Sequence, residues 1–392
     1  MRGGRGILTL APRRRDIARN DQGNARMSTS TLEASNAPAF QGLAPIDCDA
    51  HPAVPDTKVL LPYFSEYWRE QILQRGIERH SLNLTSYPPN APPSGRADWR
   101  EPGQKPGSSL AKLQHDLLDG FGLRFAICNV LHAAQAFHSE DMSAAFCTAV
   151  NEWLTREWLD RDPRLRASIL VPSENPELAV AEIERRAGDR RFVQVLMWAM
   201  NEWPLGRRFY WPIYQAAEKH GLTIGVHAGS LYRHAPTSIG WGSYYLEDYV
   251  LQSSAFESQL LSLVSEGVFA KFPALKVVFA ESGFTWLPPF LWRADKTWRG
   301  VRSEVPWVKR PPAEIIREHV RFTVQPIDAP PQAAMLDQVI EQIGSDKVLL
   351  FSTDYPHWHF EGTNALPATL SRELVRKICV DNPLEAYPRL KG

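Results

Sequence analysis

Two apolar segments separated by one helical segment decide the fold. Residues 192–198 read Phe-Val-Gln-Val-Leu-Met-Trp, and residues 222–227 read Leu-Thr-Ile-Gly-Val-His. Apolar residues fill nearly consecutive positions in both, which is typical of strands buried on both faces of a parallel sheet. Residues 207–220 have helical spacing, and Gly221 is placed to end that helix. The stretch therefore predicts a strand, a crossover helix and a second, parallel strand.

The same alternation continues in both directions along the chain. Helices are predicted after Ser139, at Asn175-Pro176 and over 332–343, since Ser and Asn are good N-caps and Pro suits the first helical position. The eight predicted strands are 43–48, 123–130, 165–171, 192–198, 222–227, 275–281, 320–325 and 347–353. Eight strands alternating with helices predict an α/β fold of the (β/α)₈ TIM-barrel type.

The remaining segments define the domain organisation. Residues 1–42 form an Arg-rich tail and a Ser/Thr/Ala-rich linker, which we expect to be disordered. Residues 43–392 form the predicted barrel domain. Residues 52–122 separate the first two strands and predict a large insertion that serves as a lid or as an oligomer arm. A second long connection spans residues 228–274.

Composition excludes several classes of protein. The 392 residues carry 44 Lys+Arg and 44 Asp+Glu, so the basic excess of a nucleic-acid-binding protein is missing. The hydrophobic fraction of 44% excludes a largely disordered chain, and no apolar run approaches the roughly 20 residues of a membrane span. Four scattered cysteines without a CxxC pair argue against a disulfide framework and fit a cytoplasmic location.

Polar residues follow most of the predicted strands, and in this barrel functional side chains gather at the carboxyl ends of the strands. These residues are Asp47, Asp49 and His51 (strand one), His132 (strand two), Trp198 (strand four), His227 (strand five), Glu281 (strand six) and Asp354 and His357 (strand eight). One such residue alone is more often structural than functional. Several carboxylates at one end would repel each other, however, and a divalent cation removes that cost. Imidazole and carboxylate ligands suit Zn, Mn or Fe.

Four segments resemble marker segments of the amidohydrolase superfamily: 46–51, 225–229, 279–283 and 351–357. The resemblance is greatest to the amidohydrolase-related branch that includes aminocarboxymuconate-semialdehyde decarboxylase and the resorcylate-type decarboxylases. It runs from about Ile46 to Leu390. It implies a metal-binding role for His51, His227 and Asp354. Two positions depart from the family pattern, because Asp49 replaces the first His of HxH and Glu281 replaces the functional His of strand six.

The resemblance and the residue types together give the expected site. The metal ligands are predicted to be Asp49, His51, His227, Glu281 and Asp354, with Asp354 and Glu281 also acting in catalysis. Asp47 and His357 are candidates for a second metal or for support of the first, and Arg233, His132 and Trp198 are candidates for substrate binding. No Lys follows strand four, so the carboxylated lysine of binuclear amidohydrolases has no counterpart there.

Three functions are consistent with this site. The resemblance implies a divalent-metal-dependent hydrolase or non-oxidative decarboxylase acting on a small organic acid or amide, through a metal-bound water or a metal-polarised substrate. The carboxylate-rich ligand set also suits an oxygen-activating binuclear iron or iron–manganese hydroxylase of the 2-aminoisobutyrate hydroxylase type. The two departures would also fit a non-catalytic subunit. We expect a homodimer or a heteromer with a paralogue, with neither nucleic acid nor membrane as a partner.

Overall fold

The computed structural model describes residues 40, 42–77, 95–235, 238–330, 332–360, 366–367 and 369–391. Almost all of the predicted tail and linker, residues 1–42, lies outside the described residues, so its predicted disorder stays a prediction. Residues 78–94 of the predicted insertion also lie outside them.

Eight parallel strands form a single sheet in chain order. The strands are β1 (Ile46–Ala50), β2 (Phe125–Cys128), β3 (Leu165–Leu170), β4 (Phe192–Met200), β5 (Thr223–Ser230), β6 (Val277–Ala280), β7 (Val320–Thr323) and β8 (Leu349–Leu350). The segment after β8 returns to β1, because Cys48 N donates to Phe351 O across 2.9 Å and Asp354 N donates to Asp49 O across 3.0 Å. These bonds close the sheet, and the predicted TIM barrel is confirmed.

Twelve α-helices surround and connect the strands in the described part of the chain. They are α1 (Glu66–Gln74), α2 (Leu110–Leu113), α3 (Glu140–Leu154), α4 (Pro176–Arg186), α5 (Trp211–His220), α6 (Tyr245–Ser265), α7 (Val268–Lys271), α8 (Leu287–Val301), α9 (Pro312–His319), α10 (Ala333–Ile343), α11 (Arg372–Arg376) and α12 (Asn382–Ala386). Among these described helices, none is both long enough and apolar enough to cross a bilayer.

Local sequence signals account for the helix ends. The Ser139 side chain accepts a hydrogen bond from Met142 N at the start of α3, and the Asn175 side chain accepts from Leu178 N at the start of α4. Each cap satisfies a backbone donor that has no partner within the helix. Gly221 ends α5 at φ 63°, a left-handed conformation that glycine adopts without steric cost. These predicted helix boundaries are therefore confirmed.

The predicted strand boundaries were less accurate. Strand β1 was expected at 43–48 but forms at Ile46–Ala50, so Asp47 and Asp49 lie inside the strand. The buried Asp47 carboxylate is stabilised there by two hydrogen bonds, which it accepts from Asp49 N and Thr353 N. Strand β8 is shorter than the predicted 347–353, since the Thr353 backbone N–H donates to that carboxylate.

The described parts of the predicted insertion pack against the carboxyl ends of β1 and β8. Ala53 N donates to Gly107 O, and Arg96 N donates to Pro356 O, each across 2.9 Å. A Cβ atom on Gly107 would lie 2.4 Å from the backbone oxygen of His51, so this contact requires glycine. The segment after β8 is thereby held against the end of β1.

Candidate metal centre

The end of β1 supplies one carboxylate and one imidazole. His51 Nδ1 lies 2.8 Å from the backbone oxygen of Asn129 and can only donate to it, which leaves Nε2 without a proton in the neutral ring. That Nε2 atom lies 3.0 Å from Asp354 Oδ1 and 3.2 Å from Asp49 Oδ1. Asn129 Nδ2 donates to the same Asp49 oxygen across 2.7 Å. Asn129 therefore orients both β1 side chains, as partners of metal ligands commonly do.

Strand β5 supplies the second imidazole, that of His227. Its Nδ1 atom donates to Ala228 O across 2.7 Å, so its Nε2 atom is free to act as a ligand. This Nε2 atom lies 3.4 Å from Asp49 Oδ2 and 3.5 Å from Glu281 Oε2. The His227 side chain is fully buried, so solvent does not solvate its free nitrogen.

Strained backbone positions aim the other two carboxylates into the barrel. Glu281 follows β6 at φ 57° and Asp354 follows β8 at φ 56°, which is a left-handed conformation unfavourable for both residues. Hydrogen bonds hold these turns, because Glu281 N donates to Thr323 Oγ1 across 3.0 Å and Asp354 O accepts from His357 N across 2.7 Å. Such strain is often retained where it positions functional side chains.

The ligand-type atoms of these side chains form two overlapping groups. One consists of Asp49, His51 and His227, and the other consists of His51, Glu281, Asp354 and His357. Within each group the candidate ligand atoms lie within 4.8 Å of one another. The structure therefore brings together all five predicted metal ligands, with His51 shared by both groups.

Unpartnered buried atoms show that the site suits a divalent cation. Asp49 Oδ2, His227 Nε2 and Asp354 Oδ2 are buried and accept or donate no hydrogen bond to any described residue. Leaving such atoms unpaired is costly, and a carboxylate without a counter-charge is costlier still. A cation in the group of Asp49, His51 and His227 would satisfy the first two atoms, and one in the group of His51, Glu281, Asp354 and His357 would satisfy the third. Oxygen and imidazole nitrogen ligands suit Mn²⁺, Fe²⁺ or Zn²⁺.

The pKa shifts in the cluster follow from burial and from the close pairing of carboxylates with imidazoles. Burial raises the pKa of Asp354, but His357, His359 and His51 outweigh burial and hold that pKa well below its ordinary value. Burial lowers the pKa of His227, but Asp49 and Glu281 raise it to about 10. Burial and the neighbouring Asp354 raise the pKa of Glu281. The pKa values of Asp354 and Glu281, the two residues predicted to act in catalysis, are therefore shifted in opposite directions.

Of the two support candidates, His357 joins the cluster and Asp47 does not. His357 Nδ1 lies 2.6 Å from Asp354 Oδ1, and its ring stacks on that of His51 at 4.7 Å. Asp47 instead accepts hydrogen bonds from Thr353 Oγ1 (2.6 Å) and from two backbone N–H groups. Sheet register is irregular between Asp47 and Ala50, so the alternation that would bring Asp47 to the metal is broken. Asp47 supports the segment that carries Asp354.

The three substrate-binding candidates have different positions. Trp198 lies beside the cluster, with its ring 6.1 Å from that of His227. His132 caps the turn at Ala133–Ala136 by accepting from Ala134 N, and its ring stacks on Phe146.

Arg233 lies 3.3 Å from Glu202 and also contacts His138. Arg233 therefore contacts residues that follow β4 and β2, and the substrate-binding role of Arg233 and His132 stays a prediction. None of their contacts described above involves a cluster residue.

Sequence reasoning missed three residues that contact the cluster. Asn129 directly follows β2, and its position at a strand end could have identified it. Tyr249 of α6 donates from its hydroxyl to Glu281 Oε1 across 3.0 Å, although no strand pattern leads to it. His359 places Nδ1 at 3.4 Å from Asp354 Oδ2 and stacks on Tyr249 at 4.5 Å. His359 lies two positions after His357, and this spacing was the sequence signal that could have identified it.

Comparison with solved structures establishes the fold independently. An amidohydrolase from Mycobacterium avium subsp. paratuberculosis K-10 superposes with a TM-score of 0.69 at 20% identity, covering 88% of this chain and 98% of that one. Dihydroxybenzoic acid decarboxylase from Polaromonas sp. JS666, solved with bound manganese and the inhibitor 2-nitroresorcinol, superposes with a TM-score of 0.61 at 18% identity. That match covers 89% of this chain and 98% of the other.

Sequence comparison places the chain in a family. Gamma-resorcylate decarboxylase from Polaromonas sp. (strain JS666 / ATCC BAA-500) is 24% identical over 250 residues, which cover 61% of this chain and 75% of that protein. The family model described as amidohydrolase matches residues 46–389, which include every residue of the cluster. With the barrel and a cluster that could hold a metal ion, this match shows that the chain belongs to the amidohydrolase family, in the branch of aminocarboxymuconate-semialdehyde decarboxylase.

Proposed function

We propose that this chain is a divalent-metal-dependent, non-oxidative decarboxylase of a small aromatic carboxylic acid. The observation that carries the proposal is the pair of ligand groups joined by His51, in which buried atoms of Asp49, His227 and Asp354 have no hydrogen-bond partner among the described residues. The substrate class is supported by the gamma-resorcylate decarboxylases, which are 24% identical to this chain.

The cation is assigned to Asp49, His51, His227 and Asp354, with manganese as the first choice because a similarly folded decarboxylase holds it. Bound there, the cation would polarise the substrate carboxylate and stabilise developing negative charge. His51 and His227 keep fixed orientations through their backbone hydrogen bonds. The buried Trp198 ring lies 6.1 Å from that of His227, and an aromatic side chain there suits an aromatic substrate.

Decarboxylation requires one proton at carbon. The bond between the ring and the carboxylate breaks, CO₂ leaves, and the electron pair left on the ring carbon takes a proton. Glu281 suits this donor role because its pKa is raised and Tyr249 fixes its Oε1 atom, which leaves Oε2 for the proton. Asp354 has a pKa well below its ordinary value and therefore suits the role of an ionised ligand. Both residues stay in the proposed catalytic set, with distinct tasks.

The test is turnover by manganese-loaded protein of a panel of hydroxybenzoic acids and, in parallel, of small amides. We expect CO₂ release and loss of the carboxylate's ultraviolet absorbance for at least one hydroxybenzoic acid. The His227→Ala variant should lack this activity, whereas His115→Ala, which changes a histidine with an 88% exposed side chain, should keep it. Amide hydrolysis without CO₂ release would contradict decarboxylation and support the hydrolase hypothesis.

A second candidate function is oxygen activation at a pair of cations. The observation behind this candidate is the second ligand group, in which Glu281 lies beside His51, Asp354 and His357. Carboxylate-rich sets of this kind suit Mn²⁺ and Fe²⁺. Elemental analysis distinguishes the two functions. One metal per chain supports decarboxylation, whereas two metals per chain, iron among them, together with dioxygen consumption, support hydroxylation.

We also propose a dimer in the cytoplasm, with the 52–122 insertion as a lid or arm. The cytoplasmic assignment is supported by the four cysteines, which are all buried and free. The lid role is supported by the hydrogen bond from Arg96 N to Pro356 O after β8 and by the close approach of Gly107 to the backbone oxygen of His51 after β1. Light scattering of the purified protein tests the dimer, and a monomeric mass would contradict it.

A further inference from the structure

A cavity of about 260 Å³ lies at the amino ends of strands β2 to β4, at the opposite end of the barrel from the metal centre. Six of its eight lining residues are basic, namely Arg124, Arg166, Arg190, Arg191, Arg389 and Lys391. The other two are Phe125 and Leu390, so no acidic residue is among the described residues that line it. The cavity therefore has a strongly positive wall in a chain whose formal net charge is zero.

Only part of this charge is neutralised by carboxylates in the described contacts. Arg191 bonds to both Asp189 and Asp160. Arg166 and Arg389 instead donate to backbone oxygens, and Arg124 lies against the ring of Phe125 at 5.2 Å. Backbone oxygens satisfy hydrogen-bond donors but supply no formal negative charge. The cavity wall keeps a net positive charge.

Two of these guanidinium groups are held rigidly by the fold. Arg166 donates from one nitrogen to Pro163 O (2.8 Å) and Leu165 O (2.7 Å), and its Cζ atom lies 4.0 Å from the ring centre of Phe125. Arg389 is only 6% exposed and donates to Phe192 O (2.7 Å) and Ala187 O (2.6 Å). Fixed guanidinium groups lose little conformational entropy when a ligand binds.

Arg389 also presents an unpartnered donor. Its Nε–H group is buried and bonds to no described residue. Burial lowers the pKa of Arg389, and the neighbouring Arg190 lowers it further. Burial likewise lowers the pKa of Arg166, with Arg191 and Arg124 adding to the shift. Both groups would be stabilised by an anion in the cavity, which would supply a counter-charge.

We propose that this cavity binds a small phosphate-bearing anion. Phosphate oxygens match several convergent guanidinium donors, and Arg recognises them through paired hydrogen bonds. The site is separate from the metal centre by its position in the barrel, so its ligand is distinct from the decarboxylation substrate. The proposal does not depend on the proposed function.

The test is isothermal titration of the metal-loaded protein with pyrophosphate at constant ionic strength. We expect saturable binding of one anion per chain in this cavity. The double variant Arg124→Gln/Arg166→Gln should weaken that binding by at least about tenfold, since two charge-assisted contacts are lost. The matched variant Arg299→Gln/Arg302→Gln, which removes two exposed charges of the α8 region, should bind as the wild type does. Arg389 is kept intact because it anchors two backbone segments.

A further variant separates this site from the metal centre, because pyrophosphate also binds cations. His227→Ala should leave binding at the arginine cavity unchanged. Equal affinity in the two double variants would overturn the proposal, and so would loss of all binding in His227→Ala. Tighter binding of a single-stranded oligonucleotide than of pyrophosphate would also overturn it, since that result would indicate a nucleic-acid surface.

Discussion

The hydroxyl of Tyr249 donates a hydrogen bond to Oε1 of Glu281 across 3.0 Å, which links helix α6 to the end of β6 at the metal centre. The Tyr249 ring also lies parallel to that of His359, with 4.5 Å between centroids and 9° between planes. Burial raises the pKa of Tyr249 well above its ordinary value, so the hydroxyl keeps the proton that it donates. One tyrosine thus orients a candidate ligand and stacks on a neighbouring imidazole.

The first prediction concerns that hydrogen bond. Tyr249→Phe should lower turnover by about 10- to 100-fold with the metal retained, because the carboxyl group that delivers the proton loses the hydrogen bond that positions it. Turnover by manganese-loaded protein measures the change. Tyr67→Phe, at a tyrosine that is 60% exposed, should leave turnover unchanged. Equal turnover in the two variants would mean that Glu281 needs no support from Tyr249.

The second prediction concerns the imidazole ligands. His51→Ala and His227→Ala should each lose most of the bound metal, because each removes a nitrogen that faces two carboxylates. Elemental analysis of protein purified without added metal measures this loss, and circular dichroism should show an unchanged fold. Full metal content in both variants would contradict the ligand assignment.

The fold could be predicted because its signal is spread over many residues. Apolar runs such as 192–198 mark strands buried on both faces, and residues such as Gly221 mark helix ends through local backbone chemistry. Strand boundaries were harder to predict, as β1 illustrates. The sequence predicts that Asp47 lies near the end of the first strand. Its hydrogen-bonding partner Thr353 lies 306 positions away, and only closure of the barrel brings the two residues together.

The candidate site likewise contains residues that the strand pattern predicts and residues that no sequence pattern indicates. Asp49 and His227 lie within strands, and His51, Glu281 and Asp354 follow strands. Parallel strands bring their carboxyl ends together whatever path the loops take. Tyr249 and His359 reach the site from long connections, whose paths follow no repeating pattern. The substrate-binding roles of Arg233 and His132 stay predictions, because side-chain chemistry does not fix the direction in which a loop leaves the barrel.

The third prediction concerns Asn129, which contacts both β1 residues. Asn129→Ala removes the donor to Asp49 Oδ1 but keeps the backbone oxygen that accepts from His51. Metal affinity should fall by roughly 10- to 100-fold while the His51 ring stays in place. Titration with Mn²⁺ measures the change. An unchanged affinity would show that Asp49 is oriented without its amide partner.

The fourth prediction separates structural support from metal binding at Asp47. Asp47→Ala leaves the buried N–H groups of Asp49 and Thr353 without an acceptor. The free energy of unfolding should fall by roughly 2–6 kcal/mol, since each such group costs about 1–3 kcal/mol. Asp47→Asn keeps an acceptor oxygen and should lose less. Urea denaturation measures both variants, and a wild-type midpoint for Asp47→Ala would contradict the supporting role.

The fifth prediction distinguishes the two catalytic carboxyl groups. Glu281→Gln keeps the shape of the side chain and an oxygen for Tyr249 but cannot release a proton, so kcat should fall by about 10²- to 10⁴-fold. The ligand group of Asp49, His51 and His227 stays intact in this variant, and one metal per chain should remain. Asp354→Asn should lose both metal and turnover, because it weakens a ligand that contacts His51 and His357. Elemental analysis and turnover are measured on the same samples.

If Glu281→Gln keeps full turnover, Glu281 does not deliver the proton. If it instead loses one of two metals, the oxygen-activating pair of cations becomes the better interpretation.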